Sequence, residues 1–94
     1  MRAQQTATAP LISCTDIVHD PLFCLGYDEI WHGQEQALSV RWNFDEAAAY
    51  IRGRKFGLFV LDYEKARVPL LRAGNIHPRA LVLATIALQR GALE

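Results

Sequence analysis

The segment YIRGRKFGLFV, residues 50–60, decides which fold class this chain can adopt. It follows a clear helix start, because Asn43 and Glu46 have the spacing of a capping box and three alanines come next. The segment itself holds two glycines and three cations and then runs into apolar residues. Its conformation therefore determines whether the middle of the chain is one long helix or a short helix followed by a strand.

Two folds are compatible with this segment. If the helix stops at Gly53, residues 55–72 form a β-hairpin, because the aromatic and β-branched residues there favour strands. If the helix continues, it spans about 44–66 and ends before Pro69. We favour the continuous helix, because the apolar run does not alternate and Pro69 removes a hydrogen-bond donor from the returning strand.

An earlier helix is predicted over residues 21–32. Asp20 suits its N-cap, a proline occupies the first position, and Gly33 suits the left-handed conformation after its end. Residues 34–42, QEQALSVRW, alternate in polarity over their last five positions and predict either a short strand or an extended linker.

A last helix is predicted over residues 78–90, with a proline at its start and a glycine after its end. It is apolar on nearly all faces, which is typical of a core or interface element. The sequence therefore predicts a mostly α, small three-helix single domain over residues 14–94, with a flexible N-terminal arm over residues 1–13. The alternative is an α+β fold with a hairpin at residues 55–72.

The composition predicts a partner. Of the 94 residues, 51% are hydrophobic and 21% are charged, and a chain of this length buries only about 60 to 65% of its unfolded surface. Part of the apolar surface is therefore expected to be covered by another copy, as in a dimer, or by a different protein.

The net charge is zero, so no global field draws the chain to nucleic acid or to an anionic membrane. The charges are unevenly distributed, however. Residues 1–40 carry one cation and five anions, whereas residues 41–94 carry nine cations and five anions. This asymmetry would suit head-to-tail or antiparallel pairing of two copies; the alternative is that all these charges are simply solvated.

The glycines of the central segment predict a packing groove. Gly53 and Gly57 lack the spacing of a phosphate-binding loop. On one helix they leave a shallow strip, with Ala49 one turn earlier, where a second helix can pack closely. Aromatic residues flank the strip, and such residues dominate interface energies. The predicted interface consists of Trp31, Trp42, Ala49, Tyr50, Gly53, Phe56 and Gly57.

A basic cluster supports an alternative function. Nucleic-acid contact through this cluster is possible but less favoured, because residues that follow one another on a helix point in different directions and do not form one stripe. The other interpretation is that these cations solvate the helix and pair with acidic residues such as Asp62 or those of residues 16–35. The cluster consists of Arg41, Arg52, Arg54 and Lys55.

The chain offers little for catalysis. The only cluster with metal-type side chains consists of His19, Cys24 and His32 together with Asp20, Asp28 and Glu29. Its spacing matches no standard zinc site, so we expect no metal and no cofactor. Cys24 lies among apolar residues that would raise the pKa of its thiol and make it unreactive. No nucleophile is paired with a base, and we expect the protein not to be an enzyme.

The remaining features concern location and origin. The longest apolar tract, residues 80–88, is half the length of a membrane span, and no secretory signal is recognisable. Cys14 and Cys24 are expected to be free thiols of a reduced, cytoplasmic protein. Eight arginines, two lysines and thirteen alanines are typical of a GC-rich bacterial or phage genome. The sequence thus predicts a small protein–protein interaction or self-associating module, acting as an accessory or regulatory protein.

Overall fold

The computed structural model describes residues 14–72 and 75–94. Four helices and one very short antiparallel hairpin make up this part of the chain. The elements are α1 Cys14–His19, α2 Pro21–Trp31, α3 Phe44–Glu64, β1 Leu71–Arg72, β2 Asn75–Ile76 and α4 Pro78–Gln89. The mostly α prediction is confirmed, and the alternative hairpin at 55–72 is not formed, because α3 is continuous to Glu64. The predicted arm, residues 1–13, lies outside the described residues.

The capping box that predicts α3 is present. The Asn43 side chain accepts a hydrogen bond from the backbone N–H of Glu46 at 2.8 Å, and the Asn43 N–H donates to the Glu46 carboxylate at 2.9 Å. The helix ends at Glu64, two residues earlier than predicted. The reason is Lys65, whose left-handed backbone (φ +56°) turns the chain away from the helix axis.

Helix α2 is closed at both ends by the residues that predict it. Asp20 accepts a hydrogen bond from the N–H of Leu22 at 2.8 Å. At the other end Gly33 is left-handed (φ +71°), and the N–H of Gln34 donates to the carbonyl of Glu29 at 2.7 Å. This is a Schellman motif, which satisfies carbonyls that the helix leaves unpaired.

Helix α4 ends with the same motif. Gly91 is left-handed (φ +68°), and the N–H of Ala92 donates to the carbonyl of Ala87 at 2.9 Å. At its start, His77 acts as the N-cap, and its Nδ1 accepts a hydrogen bond from the N–H of Arg79 at 3.1 Å.

The core lies between α2, α3 and α4. Phe23 and Tyr27 of α2 pack on Phe56 of α3, with ring centroids 5.5 and 5.2 Å apart. From α4, Leu83 is fully buried, whereas Val82 is about half exposed, so only one face of this apolar helix is used. The aromatic contacts make the α2–α3 pair the centre of the fold.

The crossing of α2 and α3 depends on glycines from both helices. A methyl group at Gly53 would overlap the carbonyl oxygen of Phe23, and one at Gly26 would overlap the carbonyl oxygen of Tyr50. One at Gly57 would lie 2.7 Å from a side-chain carbon of α2. The close packing of a second helix on the glycine strip is therefore observed, and the second helix belongs to the same chain.

Helix α1 is not predicted from the sequence. It has six residues, too few for a helical periodicity to be recognised. Its Ile17 and Val18 are buried, and it packs against α4 and α2. The short segment before the first predicted helix therefore contributes residues to the core.

Polar contacts stabilise the connection between α3 and α4. The Tyr27 hydroxyl donates a hydrogen bond to the carbonyl oxygen of Val68. Arg79 donates two hydrogen bonds to the Glu64 carboxylate, at 2.8 and 2.5 Å, and this contact lowers the pKa of Glu64. The N-terminus of α4 is thus held next to the C-terminus of α3.

We expect Gly53→Ala to destabilise the protein by more than about 1 kcal/mol, because a methyl group there meets backbone that cannot move independently. The same change on an exposed helix surface would stabilise by up to about 1 kcal/mol. Urea unfolding measures the difference. Leu58→Ala, on the exposed side of the same helix, is the control and should change stability by less than about 0.5 kcal/mol. A stabilised Gly53→Ala variant would contradict the close crossing.

Burial raises the pKa of Tyr27 from 10.0 to about 12. A raised folded-state pKa means that this group's stabilisation is complete below pH 10 and is lost as the pH rises through about 12. We expect Tyr27→Phe to lower the free energy of unfolding by about 1 kcal/mol at pH 7. As the pH rises from 10 to 12, the free energy of unfolding of the variant should fall by roughly 2 kcal/mol less than that of the unchanged protein. Parallel losses in urea unfolding across this range would count against a buried Tyr27 hydroxyl.

Candidate functional site

The residues predicted to form an intermolecular groove lie inside the protein. All five members that belong to α3 are buried, and four of them, all except Ala49, contact residues of α2 in the same chain. They are not available to a second protein in this structure, so the interface predicted at them is reassigned to an internal helix crossing. These residues are Ala49, Tyr50, Gly53, Phe56 and Gly57.

The two tryptophans of the predicted interface are half-buried at the edges of this crossing. Trp31 meets Tyr27 edge-on, with ring centroids 6.1 Å apart. Trp42 packs on Tyr50 at 4.9 Å, where it covers the first turns of α3. Both rings therefore serve the packing of their own chain.

A polar network accompanies the crossing. The buried Tyr50 hydroxyl donates a hydrogen bond to the Glu29 carboxylate and accepts one from the N–H of Ala37 at 2.8 Å. Arg54 donates to the same carboxylate oxygen at 2.6 Å and to the carbonyl of Gln34 at 3.2 Å. Glu29 and Arg54 are only 10% and 14% exposed, so water screens this ion pair weakly. The network joins α2, the linker at residues 34–43 and α3.

The predicted basic cluster is dispersed. Arg54 is used in the network, which confirms that it pairs with an acidic residue of the 16–35 region. Lys55 donates a hydrogen bond to the carbonyl oxygen of Glu94. Arg52 is half-buried and Arg41 is exposed on the linker. The four cations therefore do not form one continuous surface.

The group of possible metal ligands is also separated. In the part of the chain that the structure describes, no three His, Cys, Asp or Glu side chains are arranged to hold a metal ion. His32 contacts the carbonyl of Asp28 through Nδ1 at 2.8 Å, and the Cys24 thiol donates to the carbonyl of Val18 at 3.3 Å. Burial raises the pKa of Cys24, and the nearby Asp28 raises it further, as the apolar setting of this thiol predicts.

A different surface of α3 remains uncovered. Successive helical residues rotate by about 100°, so the side of α3 opposite the glycine crossing carries its own set of residues. Five positions there are apolar, and we name them the α3 outer face: Phe44, Ala47, Ala48, Ile51 and Leu58. Phe44 is 85% exposed and Leu58 is 57% exposed, whereas the other three are half-buried. Helix α3 is therefore apolar on two opposite sides, of which the described residues cover one.

A shallow groove of about 320 Å³ runs along the first half of this face. Four members of the α3 outer face line it, together with Leu38 and Leu93. Arg52, Lys55 and Glu94 form its charged margin. The linker extends the apolar surface through Leu38, which is 51% exposed. The arrangement is typical of a contact surface with a polar rim.

The sequence contains a signal for the α3 outer face that the glycine strip obscures. Phe44, Ile51 and Leu58 recur every seven residues, which is the spacing of an interhelical seam. The same helix carries a second apolar stripe through Phe56 and Val60. Periodicity alone does not indicate which stripe is covered within the chain, and the glycine stripe is the one that α2 covers.

Comparison with known protein families, with curated proteins and with solved structures finds no match. Across residues 14–72 and 75–94, no helix combines the length and the apolar composition needed to cross a membrane.

We expect Arg54→Met to lower the free energy of unfolding by about 2 to 3 kcal/mol, because it leaves the Glu29 carboxylate buried without its cation. Lys65→Met is the matched control: its partner Asp62 lies 3.5 Å away, and the two side chains are 79% and 88% exposed. An exposed pair of this kind contributes less than about 0.5 kcal/mol. Equal effects of the two substitutions in urea unfolding would show that the Glu29 pair is not shielded from water.

Proposed function

We propose that this protein is a small protein–protein interaction module of the cytoplasm and that the α3 outer face is its contact surface. The observation that carries the proposal is the exposure of Phe44, at 85%, beside apolar neighbours on a regular helix. Contiguous exposed apolar surface of this kind marks interaction sites in folded proteins. The free thiol at Cys24 is compatible with a reducing compartment.

The energetics favour covering this face. Removing an exposed phenylalanine or leucine side chain from water contributes about 1.5 to 3 kcal/mol. Phe44 and Leu58 project from a helix whose start is fixed by a capping box, so ordering them in a complex restricts few backbone degrees of freedom. A partner that covers the face therefore gains apolar burial without refolding this domain.

The alternative, nucleic-acid binding through Arg41, Arg52, Arg54 and Lys55, has weaker support. Arg54 is bonded to Glu29 and Lys55 to Glu94, so two of the four cations already have partners in the chain. Only Arg41 and Arg52 would remain to neutralise phosphates, and affinity for nucleic acid depends on the number of phosphates neutralised. An interaction with protein uses the apolar surface that nucleic-acid binding would leave exposed.

We expect the protein to bind an apolar dye, to self-associate at high concentration, or to do both. Phe44→Ser should reduce whichever of these properties the unchanged protein shows. Because Phe44 is exposed, the substitution should change the free energy of unfolding by less than about 0.5 kcal/mol. Dye fluorescence and sedimentation velocity are the measurements. Val82→Ser is the control, since Val82 is a similarly apolar, 48% exposed residue on α4. A monomer that binds no dye, or dye binding and association that Phe44→Ser leaves unchanged, would overturn the proposal.

A further inference from the structure

We propose that the partner of the α3 outer face is the same face of a second copy of the chain, packed antiparallel about a two-fold axis near Ile51. This inference rests on the proposed function and names its partner. Two-fold homodimers are the commonest assemblies of folded proteins, and they require a surface that is complementary to itself. The α3 outer face has this property in its large apolar residues, and Arg41 and Asp62, beyond its two ends, carry opposite charges.

The apolar residues are spaced symmetrically. Phe44, Ile51 and Leu58 are seven residues apart, or about 10 Å along the helix axis. In an antiparallel pair centred on Ile51, Phe44 of one copy lies against Leu58 of the other, and the two Ile51 side chains meet at the centre. Ala47 and Ala48 carry small side chains that let the two helices approach. Each end of the contact then pairs one large apolar side chain with another.

The two charges beyond the ends of the α3 outer face favour the antiparallel orientation. Arg41 lies just before α3 and Asp62 lies in its last turn, and both side chains are exposed. Arg41 has no ion pair among the described residues, and Asp62 has only the 3.5 Å contact with Lys65. The register that pairs Phe44 with Leu58 also places Arg41 near Asp62 of the other copy, twice in the dimer. In a parallel pair each of these charges would instead face its own counterpart, which is unfavourable.

The size of the surface sets the expected affinity. Helix α3 has 21 residues, so its outer face is about 30 Å long and offers a footprint of about 300 Å² on each copy. Leu38 on the linker adds to this area. A stable interface usually buries about 800 Å² per partner, so we expect a dimer in the micromolar range that dissociates on dilution. Sedimentation over about 5 to 500 μM at low ionic strength covers this range.

The decisive variants are charge reversals in the full chain. Arg41→Glu and Asp62→Lys each convert two attractive contacts into two repulsive ones, and each should weaken dimerisation roughly tenfold. The double variant restores opposite charges at both contacts and should recover the affinity to within about threefold. A mixture of the two single variants should form a mixed dimer for the same reason. Arg67→Glu, which changes the net charge equally at an exposed site outside α3, should have little effect.

The outcomes separate this inference from the proposed function. If the protein is a monomer at 500 μM but binds apolar dye in a way that depends on Phe44, the partner is not a second copy. The proposal that the α3 outer face is a contact surface would still stand. A dimer that Phe44→Ser weakens but the charge reversals do not would overturn the antiparallel arrangement. Weakening by both single reversals with recovery in the double variant supports the inference, because a parallel pair would gain nothing from the double reversal.

Discussion

The close approach of α2 and α3 is the constraint on which the rest of the structure depends. Glycines on both helices let the backbones meet, since any side chain at Gly26 or Gly53 would overlap a carbonyl group of the other helix. Only at this distance can Phe23 and Tyr27 pack on Phe56 to form the aromatic centre of the core. In a chain of 94 residues with little surface to bury, such a contact provides much of the available apolar burial.

The same crossing determines which polar groups are buried and which surface is left. It brings Glu29 beside Tyr50 and Arg54, and their hydrogen bonds satisfy a carboxylate that would otherwise be unfavourable in the interior. It also fixes the rotation of α3 about its axis. Once Gly53 faces α2, helical geometry directs Phe44 and Leu58 to the opposite side, so the exposed apolar face follows from the packing of the buried one.

Local signals in the sequence predict the helices well. The capping box at Asn43, the cap at Asp20 and the left-handed glycine at position 33 act within a few residues of the backbone groups that they satisfy, so the sequence alone contains the necessary information. Helix α1 is missed because six residues carry no periodic signal and its stability comes from packing on α4. The end of α3 at Lys65 is missed because a left-handed lysine has no composition cue.

The candidate site is harder to predict, because it depends on which elements cover each other. A glycine strip with aromatic neighbours indicates close packing, but the identity of the covering helix is a property of the whole fold. Here α2 covers it, and Tyr50 and Phe56 become core residues. Phe44 is exposed instead, although its sequence context, directly after an N-cap, suggests only a helix start. The proposed site is thus defined by the surface that the described part of the fold leaves uncovered.

In the proposed function, folding and association use separate surfaces of α3. A partner that occupied the glycine strip would have to displace α2 and expose Phe23, Tyr27 and Phe56 to water, at about 1.5 to 3 kcal/mol for each side chain. That sum is of the same order as the whole stability of a small domain. A partner on the α3 outer face displaces nothing, because Phe44 lies at the first helical position and contributes little to the core, while the capping box holds the helix start without it. The proposed function therefore allows the α3 outer face to bind and release a partner while the domain stays folded.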